Sequence, residues 1–201
     1  MHMVLPIVTF SEGRSEHAMS SVAHLAARRD PTNSPEHPIT WQETLADALI
    51  DAGVEVAAWI PDKRLAPIGT RLAERGIPLR TLTREEECFG YAAGYRAAGG
   101  MPVVLAQCSG LGNSLNAIGS LVIPYGLAFP VVLSMRGTLG ERNPAQMPLG
   151  RTTVATLEAL GVQAFPLRDP AATAKVVKGA VDVADGARTL APILLEAELE
   201  L

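Results

Sequence analysis

Short, almost wholly apolar runs recur along this chain, each separated from the next by a longer stretch with helical spacing. The clearest are residues 54–60, 101–106, 130–135 and 192–195; shorter ones at 78–82 and 162–167 complete a set of six. Strands that are apolar throughout, with no alternation, are strands covered on both faces. Strands separated by helices of ten or more residues pair in parallel through right-handed crossovers. The expected fold class is therefore α/β, a three-layer sandwich with a mostly parallel central sheet. Thr40 opens the first helix of this body, with Glu43 three places on as a capping box, and Gly53 ends it. Leu45, Leu49 and the alanines supply its buried stripe. Pro61-Asp62 is expected to start a second helix that stops at Gly76, and Glu85 a third that runs to Gly99. Another follows Gly112, and a last one runs from Pro170 to about Asp185. No helix is assigned between the fourth and fifth strands, where a solvated loop position is one reading of Gln146.

The first 38 residues differ from the rest. Residues 4–10 could form a strand. Residues 15–29 have helical spacing, with Met19, Val22, Ala23 and Ala26 on one side. The proline-rich segment 30–38 is a linker. The division expected is an N-terminal extension, 1–38, acting as a packing arm or partly disordered tail, and one domain, 39–201.

Composition removes several function classes. A net charge of −4 with both signs mixed along the chain gives no footprint for nucleic acid. No apolar run approaches the ~20 residues that a membrane helix needs. Cys88 and Cys108 suit a reducing compartment, and the N-terminus lacks the order of a secretory signal, so cytoplasm is expected. All four histidines, His2, His17, His24 and His37, precede residue 40. The body of the chain therefore has no Ser-His-Asp or Cys-His pair and no zinc constellation. Its chemistry must come from carboxylates, backbone amides or a cofactor.

Two stretches concentrate such groups. Thr83-Arg84-Glu85-Glu86-Glu87 opens a helix rich in small residues, including Cys88, Gly90, Ala92, Ala93, Gly94, Ala97 and Ala98. Acids in a first turn ordinarily complement the helix dipole. Glycine inside a helix costs about 1 kcal/mol relative to alanine, so Gly90 and Gly94 suggest close packing, on the chain's own sheet or at a subunit interface. The second stretch is Gln107-Cys108-Ser109-Gly110-Leu111-Gly112-Asn113, a glycine-containing turn that opens the next helix. As a dinucleotide fingerprint it is incomplete, because Leu115 stands where the third glycine belongs. Ligands in open parallel sheets sit at the carboxyl ends of the strands. Pro61, Glu85, Ser109 and Arg136 all fall just past a strand end.

Taken together these stretches resemble the pyrimidine-binding domain of thiamine diphosphate enzymes, in which an acid nine positions before a glycine begins such a helix; Glu85 and Gly94 have that spacing. Within that family the chain is most similar to sulfopyruvate decarboxylase α subunits, and next to phosphonopyruvate decarboxylases, from about Trp41 to the C-terminus. Ile60-Pro61-Asp62, the Thr83–Glu87 and Ser109–Asn113 stretches, Arg136-Gly137 and Gln146-Met147-Pro148-Leu149-Gly150-Arg151 carry the resemblance. It implies a thiamine diphosphate-binding fold with Glu85 bonded to the cofactor's pyrimidine nitrogen; Glu86 and Glu87 are one-residue slips. It implies further that Pro61 lines the pyrimidine pocket and that Gly110, Gly112 and Asn113 lie beside the cofactor's reactive end. Ser109, Asn113, Arg136 and Gln146 then meet a small anionic 2-oxo acid substrate, and the guanidinium suits carboxylate, sulfonate or phosphonate. In this family diphosphate and Mg2+ are held by a Gly-Asp-Gly…Asn motif in a second domain. No Gly-Asp-Gly occurs here. The implied assembly therefore includes a β subunit that holds the metal, in an α2β2 or larger complex. Two departures from the pattern are Met147, where phosphonopyruvate enzymes tend to have histidine, and Cys108, where a small polar residue is more usual. Met147 favours the sulfonate substrate. Outside this reading stand another thiamine-dependent lyase or ligase on a different 2-oxo acid, and a non-catalytic nucleotide-binding module at the Gly110–Gly112 turn.

Overall fold

A computed structural model describes residues 38–138 and 140–200. The strand and helix expected at 4–10 and 15–29 lie outside the described residues. Six strands form one sheet: β1 (Val56–Trp59), β2 (Leu79–Thr81), β3 (Pro102–Gln107), β4 (Pro130–Ser134), β5 (Phe165–Leu167) and β6 (Ala191–Leu195). Their order across the sheet is β2-β1-β3-β4-β6-β5. Every pairing is parallel, with Trp59 opposite Leu105, Gln107 opposite Ser134, and Ser134 opposite Leu195. The carboxyl ends of β1, β3, β4 and β6 therefore stand side by side.

The helices are α1 (Trp41–Asp51), α2 (Ala66–Glu74), α3 (Glu85–Ala97), α4 (Leu111–Ala117), α5 (Met147–Ala159) and α6 (Thr173–Asp182). α1 packs on α2 and α6 over one face of the sheet; α3 and α4 pack together over the other. α5 packs against the Cys108–Gly110 turn that leads into α4, and its Leu149 borders Gly112. The strands between the layers are buried on both sides, with Val103, Val104, Leu105, Val132 and Ile193 all at 0% exposure. Burying a side chain of that size contributes roughly 1.5–3 kcal/mol. Phe89 of α3 meets Phe129, just before β4, with ring centroids 6.1 Å apart.

Local chemistry fixes the ends of these elements. Thr40 and Glu43 form the expected capping box: Thr40 Oγ1 accepts from Glu43 N (3.2 Å), and Thr40 N donates to Glu43 Oε2 (2.8 Å). α2 begins later than its sequence suggests, at Ala66 and not at Pro61-Asp62. Asp62 Oδ1 accepts from the Arg64 and Leu65 amides, and this holds residues 62–65 as a turn ahead of the helix. The glycine turn after β3 is itself helical, a 3-10 turn at Cys108–Gly110 that runs straight into α4, so Gly112 lies inside that helix and not before it. α5 is the element that sequence patterning missed. Its thirteen residues include Pro148, Gly150, Thr152, Thr153, Val154 and Thr156, all weak helix formers except for a proline in the first turn, where its missing N–H costs nothing.

Candidate active site at the carboxyl edge of the sheet

The three acids that open α3 have three different environments. Glu87 Oε2 accepts from Thr83 N, Thr83 Oγ1 and Arg84 N, at 3.0, 2.7 and 3.3 Å. Those bonds, the Thr83 hydroxyl first, hold its carboxyl below the ordinary range. It closes the end of its own helix. Glu86 pairs with Arg84 at 3.2 Å on the surface. Glu85 alone turns toward the glycine stretch. It is half-buried, and its Oε2 accepts from Asn113 Nδ2 at 3.2 Å. Its Oε1 has no partner among the described residues. A methyl group on Gly110 would run into the Cγ and Cδ of Glu85, and would lie 2.5 Å from Oε1. Gly110 is thus the floor on which the Glu85 carboxyl rests, at an ordinary φ of −72°. The requirement there is space, not backbone conformation.

Glu85, Gly110 and Asn113 come together as the sequence suggests; the other candidates are distributed along the same edge. Pro61 is exposed at the exit of β1. Gly112 is exposed beside Leu149. The Ser109 hydroxyl donates to Gln107 Oε1 at 2.6 Å. Gln107 in turn donates from Nε2 to Asp62 Oδ2 at 3.1 Å, joining the ends of β1 and β3.

Arg136, past the end of β4, is not an open cation. Its Nε and Nη2 clasp Glu141 at 2.7 and 3.0 Å, and the Asn143 amide adds a bond to Glu141 Oε1 at 2.9 Å. The Arg136 guanidinium, with the Asn143 amide behind it, lowers the Glu141 carboxyl to about 2. The pair borders a cavity of about 220 Å³ lined by Arg64, Met135, Thr138, Gly140 and Ala197. That is smaller than the 300–1,000 Å³ typical of drug-sized ligands and suits a compact one. Arg64 crosses from the β1–α2 turn to donate to the carbonyls of Leu195 (2.8 Å) and Glu196 (2.7 Å), fastening that turn to the end of β6. Gln146 backs the Arg136-Gly137 turn, and its side-chain oxygen is buried without a donor among the described residues.

Sequence reasoning did not assign Arg64, Gln107 or Glu141 to this edge, and it reached Asp62 only as a helix start and a neighbour of Pro61. Asp62 and Gln107 stood inside the quoted stretches, and a polar residue ending a strand was the available signal. Glu141 lies five residues from Arg136 in an irregular loop, where spacing predicts no contact.

Neither thiol is a nucleophile. Burial, with Glu85 and Glu87 adding repulsion, pushes Cys88 up to about 12, and burial also raises Cys108. Both remain protonated near neutrality and act as small packing groups. Among the described residues no group of three or more His, Cys, Asp or Glu side chains could hold a metal ion, and no helix is long and apolar enough to cross a membrane.

The Arg136–Glu141 pair has a measurable signature. A carboxyl lowered by folding contributes stability above its unfolded value and loses that contribution as pH falls through its folded one. Between about pH 4.5 and about 2, wild-type melting temperature is expected to fall more steeply than that of Glu141→Gln. Above pH 5 the difference between the two should be flat. Parallel curves from pH 5 to pH 2 would show that the clasp does not form in solution.

A six-stranded parallel sheet with helices on both faces, and an acid and a glycine turn at its carboxyl edge, defines an α/β domain of the kind that takes ligands at that edge. Residues 39–138 match the family described as thiamine pyrophosphate enzyme, N-terminal TPP binding domain, and the chain belongs to that family. It is 35% identical over 156 residues to the sulfopyruvate decarboxylase subunit alpha of Methanococcus maripaludis, an alignment covering 77% of this chain and 93% of that one. It is 36% identical to the phosphonopyruvate decarboxylase of Streptomyces hygroscopicus over 52% of this chain and 27% of that longer protein. In three dimensions it resembles a 2-oxoglutarate:ferredoxin oxidoreductase from Magnetococcus marinus, with a TM-score of 0.63 and 13% identity. That match covers 91% of this chain and 34% of the other, and speaks to the fold alone.

Proposed function

We infer that this chain is the α subunit of a thiamine diphosphate-dependent carboxy-lyase that decarboxylates a three-carbon 2-oxo acid with a second anionic group. 3-Sulfopyruvate is the first choice of substrate and phosphonopyruvate the second. The activity is supported by the similarity to sulfopyruvate decarboxylase subunit alpha along nearly the whole of that relative. The observation that carries the site is that Glu85, alone of three adjacent acids, rests on Gly110 with one oxygen held by Asn113 and the other without a partner.

Bound thiamine diphosphate supplies a carbanion at its thiazolium ring. The chain's own residues position and protonate. Asn113 immobilises Glu85 Oε2, which leaves Oε1 to share a proton with the pyrimidine ring nitrogen. Pro61 and its neighbours would line the pyrimidine pocket, and Gly110, Gly112 and Asn113 would stand beside the cofactor's reactive end. Arg136, beside the small cavity, and Gln146, behind the Arg136-Gly137 turn, serve the anionic end of the substrate, and Arg136 Nη1 has no partner among the described residues. For a bidentate grip on substrate, Arg136 must exchange Glu141 for the incoming anion.

The diphosphate and Mg2+ belong to a β subunit, in an α2β2 or larger assembly that works in the cytoplasm. This division is supported by the similarity to relatives named sulfopyruvate decarboxylase subunit alpha, a name that implies a second kind of subunit. It is supported too by the outward face of α3, where a side chain at Gly90 or Gly94 would meet nothing within 4 Å. Those glycines are not needed for packing on the chain's own sheet, and they leave room for another backbone. Titration calorimetry of the purified chain with thiamine diphosphate and Mg2+ should give little heat, with tight binding restored once the partner is added. Tight binding by the chain alone would remove the shared-site reading.

A further inference from the structure

Ser109, expected from the resemblance to meet the substrate, ends the three-membered chain Asp62–Gln107–Ser109, and the direction of that chain's hydrogen bonds is forced. A carboxylate offers only acceptors, so the Gln107 amide nitrogen must face Asp62, at 3.1 Å from Oδ2. The Gln107 carbonyl oxygen then faces Ser109 and takes that residue's single proton, at 2.6 Å. Asp62 cannot swing away to release this order, because its Oδ1 is held by the amides of Arg64 and Leu65 at 2.9 and 3.3 Å. Ser109 is left with lone pairs and no donor for anything else that approaches it. Turning its hydroxyl toward an anion would leave the Gln107 carbonyl without its hydrogen bond.

We propose that Asp62 and Gln107 are positioning residues that fix Ser109 as a hydrogen-bond acceptor, so that Ser109 receives an N–H of the cofactor's aminopyrimidine and has no part in gripping the substrate's anionic groups. The inference rests on the reading of this edge as the thiamine site and refines the role of Ser109 within it. The reacting acid is not the donor, because a 2-oxo acid ionised near neutrality carries neither N–H nor O–H to give. In the complex assembled with its partner subunit, Ser109→Ala should weaken thiamine diphosphate binding, read by calorimetry, by about 3- to 10-fold. With the cofactor saturating, the oxo acid's KM should stay within a factor of about two of wild type, for 3-sulfopyruvate and phosphonopyruvate alike.

Asp62→Asn allows the Gln107 amide to turn over and present its nitrogen to Ser109, freeing the serine proton. Its effect on the same constant should disappear in the D62N/S109A double variant, which should match S109A alone; Gln107→Leu serves in this cycle if D62N does not fold. A residue that merely supported the fold would lower the melting temperature and give additive effects. Three results overturn the proposal: an S109A complex that binds thiamine diphosphate as wild type does, a loss confined to the oxo acid's KM, or an additive cycle. Failure of the underlying site reading is seen separately, as decarboxylation that survives Glu85→Gln.

Discussion

Replacing Glu85 with glutamine should abolish decarboxylation by the assembled complex, by roughly 10²–10⁴-fold in kcat, while assembly and melting temperature change little. The substitution keeps the volume that rests on Gly110 and keeps an oxygen for Asn113 Nδ2, so the local packing survives. What is lost is the carboxyl proton that the pyrimidine nitrogen needs. The neighbours provide internal controls. Glu86→Gln removes a surface pair with Arg84 at 3.2 Å and should leave activity within a factor of about two, because exposed pairs contribute about 0–1 kcal/mol. Glu87→Gln weakens a helix end held by three bonds to one oxygen, so its effect should appear in stability and not in kcat. Stopped-assay kinetics on the three complexes, with size-exclusion profiles to show that each assembles, decides the matter. Wild-type turnover in the Glu85 variant would end the assignment.

Those three acids also show how far sequence reasoning reaches. Spacing to Gly94 singled out Glu85, but a one-residue slip stayed open, because three consecutive glutamates are equivalent in pattern. They are separated by geometry: one closes the helix end, one pairs with Arg84, and one faces Gly110. The sheet was legible because a parallel interior writes itself as uninterrupted apolar runs. α5 was not, because its glycine and threonines suit a strand or loop as well; in the fold it packs against the Cys108–Gly110 turn, a contact that local pattern does not show. The polar chain from Asp62 to Ser109 and the clasp of Glu141 on Arg136 join residues that local spacing does not relate. Asp62 and Gln107 meet only because β1 and β3 are adjacent, and Arg136 and Glu141 only because their loop doubles back. Arg136, a sequence candidate for the substrate's anionic groups with an ion pair as the alternative, is paired with Glu141, and a substrate has to compete for it.

The same substitution should have opposite signs at two glycines, and the larger effect lies at the loop that carries Arg136. α5 enters against the exit of β4 with glycine on both sides. A methyl group at Gly150 would stand 2.9 Å from Gly137 Cα and would collide with the Arg136 carbonyl. A methyl group at Gly137, already at φ +73°, would come within 2.8 Å of the Gln146 carbonyl oxygen. All these neighbours are backbone, so nothing can rotate aside, and the helix or the loop must move. Overpacking of this kind costs about 1–3 kcal/mol and sometimes more. For a chain of this length each kcal/mol lowers the melting temperature by about 2–4 °C, so Gly150→Ala should melt roughly 3–10 °C lower. The displaced turn takes Arg136 and Gln146 with it, so the oxo acid's KM in the complex should rise as well. At Gly94, on the open face of α3, an added methyl group meets nothing within 4 Å. Gly94→Ala should therefore stabilise the isolated chain, by about 0.4–1 kcal/mol, through the smaller freedom of its unfolded state. If α3 is where the partner's backbone comes close, that same variant should assemble less tightly. Thermal melts of both variants as single chains, followed by titration with the partner, test the two claims together. A Gly150 variant as stable as wild type would mean that α5 does not seat on the β4 exit as described, and the placement of Arg136 and Gln146 would go with it.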